Sequence, residues 1–147
     1  MLSNKTKLST SLEDYLESIL LLESKNRVAR VKDIAENMNV QMSSVTSALK
    51  NLKDRNLVNY EKNSYISLTD KGKKIAETVR KKHDIIKEFL QSVLKLPKTD
   101  SDNAACEIEH AISIDTALRL KNCSLFISRY LADSGMSESD WEKILSE

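Results

Sequence analysis

Apolar positions recur along this chain with helical spacing almost from its start. Leu12, Tyr15, Leu16, Ile19 and Leu20 fall on one helical stripe, and Thr10-Ser11-Leu12-Glu13 reads as a capping box that opens the helix. Val28 to Val31 reads as a short extended piece. A short helix follows over Lys32–Met38, with Ile34, Ala35 and Met38 inward, then a turn at Asn39-Val40. A second helix runs from Gln41 to Arg55 with Val45, Ala48, Leu49 and Leu52 inward. Two short helices joined by a tight turn are a helix-turn-helix signature. The spacing then changes to two. Val58, Tyr60, Ile66 and Leu68 alternate with polar residues on either side of Lys62-Asn63-Ser64, which predicts a β-hairpin with a basic, polar tip. A hairpin directly after a helix-turn-helix is the winged variant of that motif.

Helical spacing returns for the rest of the chain. Thr69 caps a long helix from Asp70 to about Leu94, stopped by Pro97. Lys71, Lys73, Lys74, Arg80, Lys81 and Lys82 make its first half basic, and Val79, His83, Ile86 and Leu90 share a stripe. After a linker at Leu96–Ser101, a helix from about Asp102 to Ile112 carries Ala104, Ala105, Ile108, Ala111 and Ile112 on its apolar face. Ser113 caps the next helix, with Ile114, Ala117 and Leu118 inward; helix continues over Leu125–Leu131 and ends at Gly135. Ser137-Glu138-Ser139-Asp140 caps a last helix with Trp141, Ile144 and Leu145. The expected fold is mainly α. A winged helix-turn-helix domain with a small β-hairpin wing takes residues 1–70, the first eight polar and frayed. A helical domain takes residues 71–147, with 71–95 as the connecting helix. The short helices of that second half make too small a core alone, so pairing with a second copy is expected.

Composition narrows the function. The 147 residues are 40% apolar and 31% charged, with only two Gly and one Pro, as suits a helical globular protein. The net charge of +1 means that any nucleic-acid surface is local. The longest apolar run, Ile19 to Leu22, is far short of a membrane span, and the N-terminus lacks a signal-peptide pattern, so the expected compartment is the cytoplasm. The two cysteines, Cys106 and Cys123, make a disulfide framework unexpected there.

Two sets of residues carry candidate chemistry. The second helix of the helix-turn-helix presents Ser43, Thr46, Ser47, Lys50 and Asn51 outward, with Gln41 and Ser44 at its start. Short hydroxyls with one ammonium can approach DNA closely and meet phosphates or base edges; an ordinary polar helix face is the equal alternative from this helix alone. The hairpin favours DNA, because Lys62 and Asn63 at its tip reach the backbone beside the groove. The second set is Cys106, Glu109 and His110, at i, i+3 and i+4 on one helix face away from the alanines. A thiol, a carboxylate and an imidazole are all metal ligands. Asp14 and Glu17, one turn apart, read by themselves as a solvated face, and His83 as a core histidine.

In combination the segments Ser11-Leu12-Glu13-Asp14-Tyr15-Leu16-Glu17, Ser43-Ser44-Val45-Thr46, Leu68-Thr69-Asp70-Lys71-Gly72, His83 and Cys106-Glu107-Ile108-Glu109-His110-Ala111-Ile112-Ser113 resemble the diphtheria toxin repressor family of metal-dependent transcriptional regulators. The resemblance covers residues 9 to about 120 and is closest to the short, manganese-sensing branch. It implies an N-terminal winged helix, a helical dimerisation domain, and Asp14, Glu17, His83, Cys106, Glu109 and His110 as metal ligands. The manganese branch usually has Glu where this chain has Cys106, and the iron branch has Met where it has Asp14. This chain is therefore a hybrid. The carboxylates and imidazoles suit Mn(II), and the thiolate shifts preference toward Fe(II), Co(II) or Zn(II).

The expected protein is a homodimeric repressor of metal-homeostasis genes, activated by Mn(II) or Fe(II). It binds a palindromic duplex operator with half-sites about 34 Å apart. It needs no small-molecule substrate and no membrane. A thiol-based redox regulator using Cys106 is the alternative; it leaves the other five ligand candidates without a reason to converge. A small metalloenzyme is the remote one, since the chain lacks a Gly-rich loop or a nucleophile motif.

Overall fold

A computed structural model describes residues 7–26 and 28–147, which fall into two compact units, Met1–Val79 and Arg80–Glu147. Residues 1–6 of the expected frayed N-terminus lie outside the described residues. The described residues form seven helices and one two-stranded sheet, the mainly helical architecture with a small wing that the hydropathy pattern predicts.

The first unit begins with α1 (Thr10–Asn26), α2 (Val31–Met38) and α3 (Met42–Asp54). The start of α1 differs from the expected capping box. Ser9 Oγ accepts from Leu12 N–H at 3.3 Å, so Ser9 is the cap and the helix opens one residue early. Leu8, expected to fray, packs against the core. Asn39 turns α2 into α3 in the left-handed region (φ 53°), where asparagine is among the best tolerated residues. Gln41 is the extended residue before α3, which buries Val45, Ala48, Leu49 and Leu52 at i, i+3, i+4 and i+7.

The wing is short. Strand β1 (Val58–Asn59) pairs antiparallel with β2 (Ser67–Leu68), and an isolated bridge joins Ala29 to Ile66. The sheet is tied to α1 by Glu23, whose Oε1 accepts from Leu68 N–H at 3.0 Å. The helix α4 (Asp70–Ser92) follows, capped by Thr69, whose Oγ1 accepts from Gly72 N–H at 3.1 Å. Gly72 is a packing requirement, because a Cβ there would lie 1.9 Å from the Leu57 carbonyl oxygen. One apolar cluster runs through this unit, from Tyr15, Leu16 and Ile19 through Ile34, Val45, Leu49 and Leu52 to Ile66 and Ala76.

The boundary between the units falls within α4. The second unit holds its C-terminal half, then α5 (Lys98–Ile108), α6 (Ile114–Ser134) and α7 (Glu138–Ser146). Its apolar cluster is small: Ile86, Leu90 and Ala105, flanked by Phe89, Ala104, Ile108, Ile112 and Leu120. Helix α5 is shifted from its expected position. It starts directly after Pro97, whose fixed φ makes it a ready N-terminal flank, and stops at Ile108, with residues 109–111 in a turn. The second half is also less fragmented than expected, since α6 is a continuous helix of 21 residues ended by Gly135 at φ 69°. Ser113 and Ser137 cap α6 and α7, accepting from the N–H groups of Thr116 and Asp140. Lys82 leaves the basic face assigned to it: it is buried and donates to the Ile112 carbonyl at 3.1 Å.

Candidate metal centre and nucleic-acid interface

His83 is buried on α4 on the stripe of Val79 and Ile86, with Arg80 and Lys87 one turn to either side, and its acidic and thiol partners come from α5 and the turn after it. Its Nδ1 lies 2.7 Å from Glu109 Oε2 and 3.7 Å from Cys106 Sγ. Glu109 is 1% exposed, and its other oxygen faces His110 Nε2 at 3.2 Å. The structure thus brings together four of the six sequence-predicted ligands, all in the second unit. Asp14 and Glu17 stand one turn apart on α1 in the first unit, both half-buried.

One expectation about this cluster is corrected. Cys106, Glu109 and His110 were expected on one face opposite the alanines. Glu109 instead follows Ala105 by one turn, is buried on the same side, and lies just past the end of α5. The stripe facing His83 is Asp102, Ala105, Cys106 and Glu109, at i, i+3, i+4 and i+7. Asp102 is the residue that the sequence reading missed. Its Oδ1 lies 3.2 Å from His83 Nε2 and accepts from Lys87 Nζ at 2.6 Å. Its place one turn before Cys106 was the available signal.

The electrostatics follow from these contacts. The hydrogen bond to Glu109 raises the His83 pKa; burial opposes this, and the bond to Asp102 adds to it. Asp102 is held below its ordinary value by Lys87 first and His83 second. A buried carboxylate is costly unless partnered, and the oxygens of Glu109 face two imidazoles. Two imidazoles, a carboxylate and a thiol are a donor set of borderline softness. They fit a first-row divalent ion better than Ca(II) or Mg(II), which prefer oxygen.

The other candidate surface lies in the first unit. Ser43, Ser44, Ser47 and Lys50 are exposed on α3, with Gln41 exposed just before it; Thr46 is half-buried, its hydroxyl donating to the Met42 carbonyl at 3.0 Å. Lys62 and Asn63 are exposed at the wing tip, where Asn63 takes a left-handed turn (φ 65°). Between α3 and the wing lies a cleft of about 1020 Å3 lined by Thr46, Lys50, Lys62 and Asn63. The cleft adds Arg30, Lys32, Lys53 and Tyr65, which sequence reasoning missed. The Arg30 guanidinium sits 5.1 Å above the Tyr65 ring centroid and donates from Nη2 to the Tyr65 hydroxyl at 3.2 Å. These two residues are 35 positions apart, so only the fold reveals the pair. Among the described residues, five cations and one acid, Glu61, line this cleft, a local basic surface on a chain of net charge +1.

Both halves match one family of proteins. Residues 7–65 match the iron-dependent repressor N-terminal DNA-binding domain, and residues 69–130 the iron-dependent repressor metal-binding and dimerisation domain. The chain belongs to the iron-dependent repressor family. The metal-dependent repressor family expected from the sequence is thus the one found. This repressor-family chain is 39% identical over 115 residues to an uncharacterised HTH-type transcriptional regulator of Methanocaldococcus jannaschii, covering 78% of this chain and 92% of that one. It is 32% identical to the solved manganese regulator SloR (TM-score 0.67), covering 76% of this chain and 52% of SloR. It is 30% identical to ScaR solved with bound Zn2+ (TM-score 0.64), again covering 76% of this chain and 52% of ScaR. The chain therefore spans about half the length of those two solved regulators. These relatives are transcriptional or metal regulators, and the thiol-redox alternative draws no support from them. Among the described residues no helix is long and apolar enough to cross a membrane.

Proposed function

We propose that this chain is a cytoplasmic, homodimeric transcriptional repressor that binds operator DNA when loaded with Mn(II) or Fe(II), with Zn(II) or Co(II) as further candidates. The observation that carries this reading is the buried Glu109 carboxylate set between His83 and His110 beside Cys106, on a chain whose other unit is a winged helix with a basic cleft. The manganese named for SloR and the zinc bound in ScaR support a first-row divalent ion.

The bound ion supplies two positive charges and a fixed set of bonds to its donors. His83, Cys106, Glu109 and His110 would be donors to the ion, and Asp14 and Glu17 on α1 are the further proposed ligands. The thiol and the imidazoles must shed protons to bind, so acid weakens metal affinity. On the DNA side, Ser43, Ser44, Thr46, Ser47 and Lys50, with Gln41 before them, meet base edges and phosphates in the major groove. Lys62 and Asn63 hold the neighbouring backbone, and Arg30, Lys32 and Lys53 add phosphate contacts.

The division of labour we infer is residues 1–70 for DNA and 71–147 for metal and dimerisation, with 71–95 as the connecting helix. A second copy has a surface to cover on α6, where Phe126 and Tyr130, one turn apart, are 70% and 60% exposed. Binding is reciprocal, so operator DNA tightens metal binding by the factor by which metal tightens DNA binding, a coupling of about 1–3 kcal/mol. No catalytic step is part of this reading.

The test is to strip the protein of metal, select a duplex from a random pool with each ion present, and titrate Mn(II), Fe(II), Co(II) and Zn(II) while measuring duplex affinity. Tightening of five-fold or more with at least one ion is expected. Equal affinity with a chelator present overturns the metal-switch reading.

A further inference from the structure

His83 has two ring nitrogens, and α5 gives them different neighbours. Nδ1 faces Glu109 Oε2 at 2.7 Å and Cys106 Sγ at 3.7 Å. Nε2 faces Asp102 Oδ1 at 3.2 Å, and that same oxygen accepts from Lys87 Nζ at 2.6 Å. Lys87 follows His83 by one turn of α4, and Asp102 precedes Cys106 by one turn of α5. The four side chains therefore meet as two adjoining rungs between two helices.

We propose that Asp102 is a positioning residue of the metal centre: it accepts the Nε2–H of His83, Lys87 holds it in place to do so, and Nδ1 is left as the ligand atom of the ring. This rests on the metal-dependent reading above and adds which nitrogen binds, and why. A neutral imidazole has one N–H and one lone pair, so fixing the N–H at Nε2 puts the lone pair at Nδ1. Nδ1 is the nitrogen on the side of Glu109 and Cys106, the two other donors beside the ring. A carboxylate behind a ligating histidine also fixes the ring plane and makes the free nitrogen a better donor.

Lys87 and Asp102 divide the remaining work by exposure. The His83 side chain is 4% exposed, whereas those of Asp102 and Lys87 are 48% and 25% exposed. The carboxylate reaches in from the edge of the unit, and without a tether it has water as an alternative partner. The Lys87 ammonium supplies the tether, which makes this surface pair a device for orienting a buried ring rather than a source of stability.

The experiment uses the full chain and Co(II) as probe. Affinity is read by calorimetry, the thiolate and d–d absorption bands report the coordination, and nitrogen-15 NMR of the imidazoles in the diamagnetic Zn(II)-loaded protein reports the His83 tautomer. The wild type is expected to bind Co(II) with His83 in its Nε2–H form. Asp102→Ala is expected to weaken Co(II) binding about 10–100-fold and to lose the single tautomer. Asp102→Asn, whose amide oxygen can still accept from Nε2–H, is expected to recover most of the affinity. Lys87→Met is expected to fall between the two. Asp102→Ala protein with wild-type affinity, bands and tautomer overturns the positioning role and leaves the metal reading intact. If Asp102→Ala fails to fold, a metal-loaded wild type with the proton on Nδ1 overturns it equally. A wild type that binds no Co(II) overturns both.

Discussion

The two units of this chain are held together by different means. The first closes around an unbroken apolar cluster that draws on α1, α2, α3, the wing and the start of α4. The second has three buried apolar side chains in its cluster, and beside them a group of ionisable ones: His83, Glu109 and the Lys87–Asp102 pair. Burial of apolar area is indifferent to pH and to metal, whereas a buried carboxylate among imidazoles responds to both. A sensor needs such a division. The half that reads DNA rests on apolar burial, and the half that reads the ion has less of it.

The largest test of that contrast is Leu49→Ala. Leu49 is fully buried, and its truncation is expected to cost about 2–5 kcal/mol. In chemical denaturation followed by circular dichroism, the loss should fall on the transition of the first unit. A single transition shifted as a whole would break the contrast. Next is Glu109→Gln, expected to cost the second unit about 1–3 kcal/mol, because an amide offers one acceptor where the carboxylate faces two imidazoles. Its Co(II) binding should fall as well, and a variant that keeps both stability and metal affinity would remove Glu109 from the centre.

The smallest effect is expected in acid. Lys95 donates to Glu138 at 2.8 Å and holds its carboxyl below the ordinary value of 4.5. The stability this adds to α7 is complete above that value and disappears as the pH falls through the lowered one. Thermal unfolding of wild type and Glu138→Gln should differ slightly at neutral pH and converge in acid; a constant difference would mean that the pair does not stabilise α7.

What could be read beforehand follows the same division. The stripe Val45, Ala48, Leu49 and Leu52 and the alternation around the wing identified the helix-turn-helix and its hairpin, since apolar spacing is the stronger signal where apolar burial does the folding. In the second unit, spacing misplaced both ends of α5. Asp102 looked like a helix start, whereas the chain turns helical directly after Pro97. Glu109 was grouped with Cys106 and His110, although it stands one helical turn after Ala105, to whose carbonyl its N–H still donates, and so shares the buried side. Asp102 and Lys87 stayed hidden for a further reason: each is an ordinary surface residue on its own helix, and only the packing of α4 against α5 joins them at one oxygen. The same holds for Arg30 and Tyr65 in the cleft.

At the far end of α4, the Trp141 indole N–H donates to the Val93 carbonyl at 2.7 Å. This is the one tryptophan of the chain, and three of its four tyrosines, Tyr15, Tyr60 and Tyr65, are in the other unit. Light absorbed selectively by indole is therefore emitted from the sensing half alone. The protein carries its own lamp there, tied to the turn that follows the helix bearing His83, and its colour and brightness can follow that half without a dye or a label.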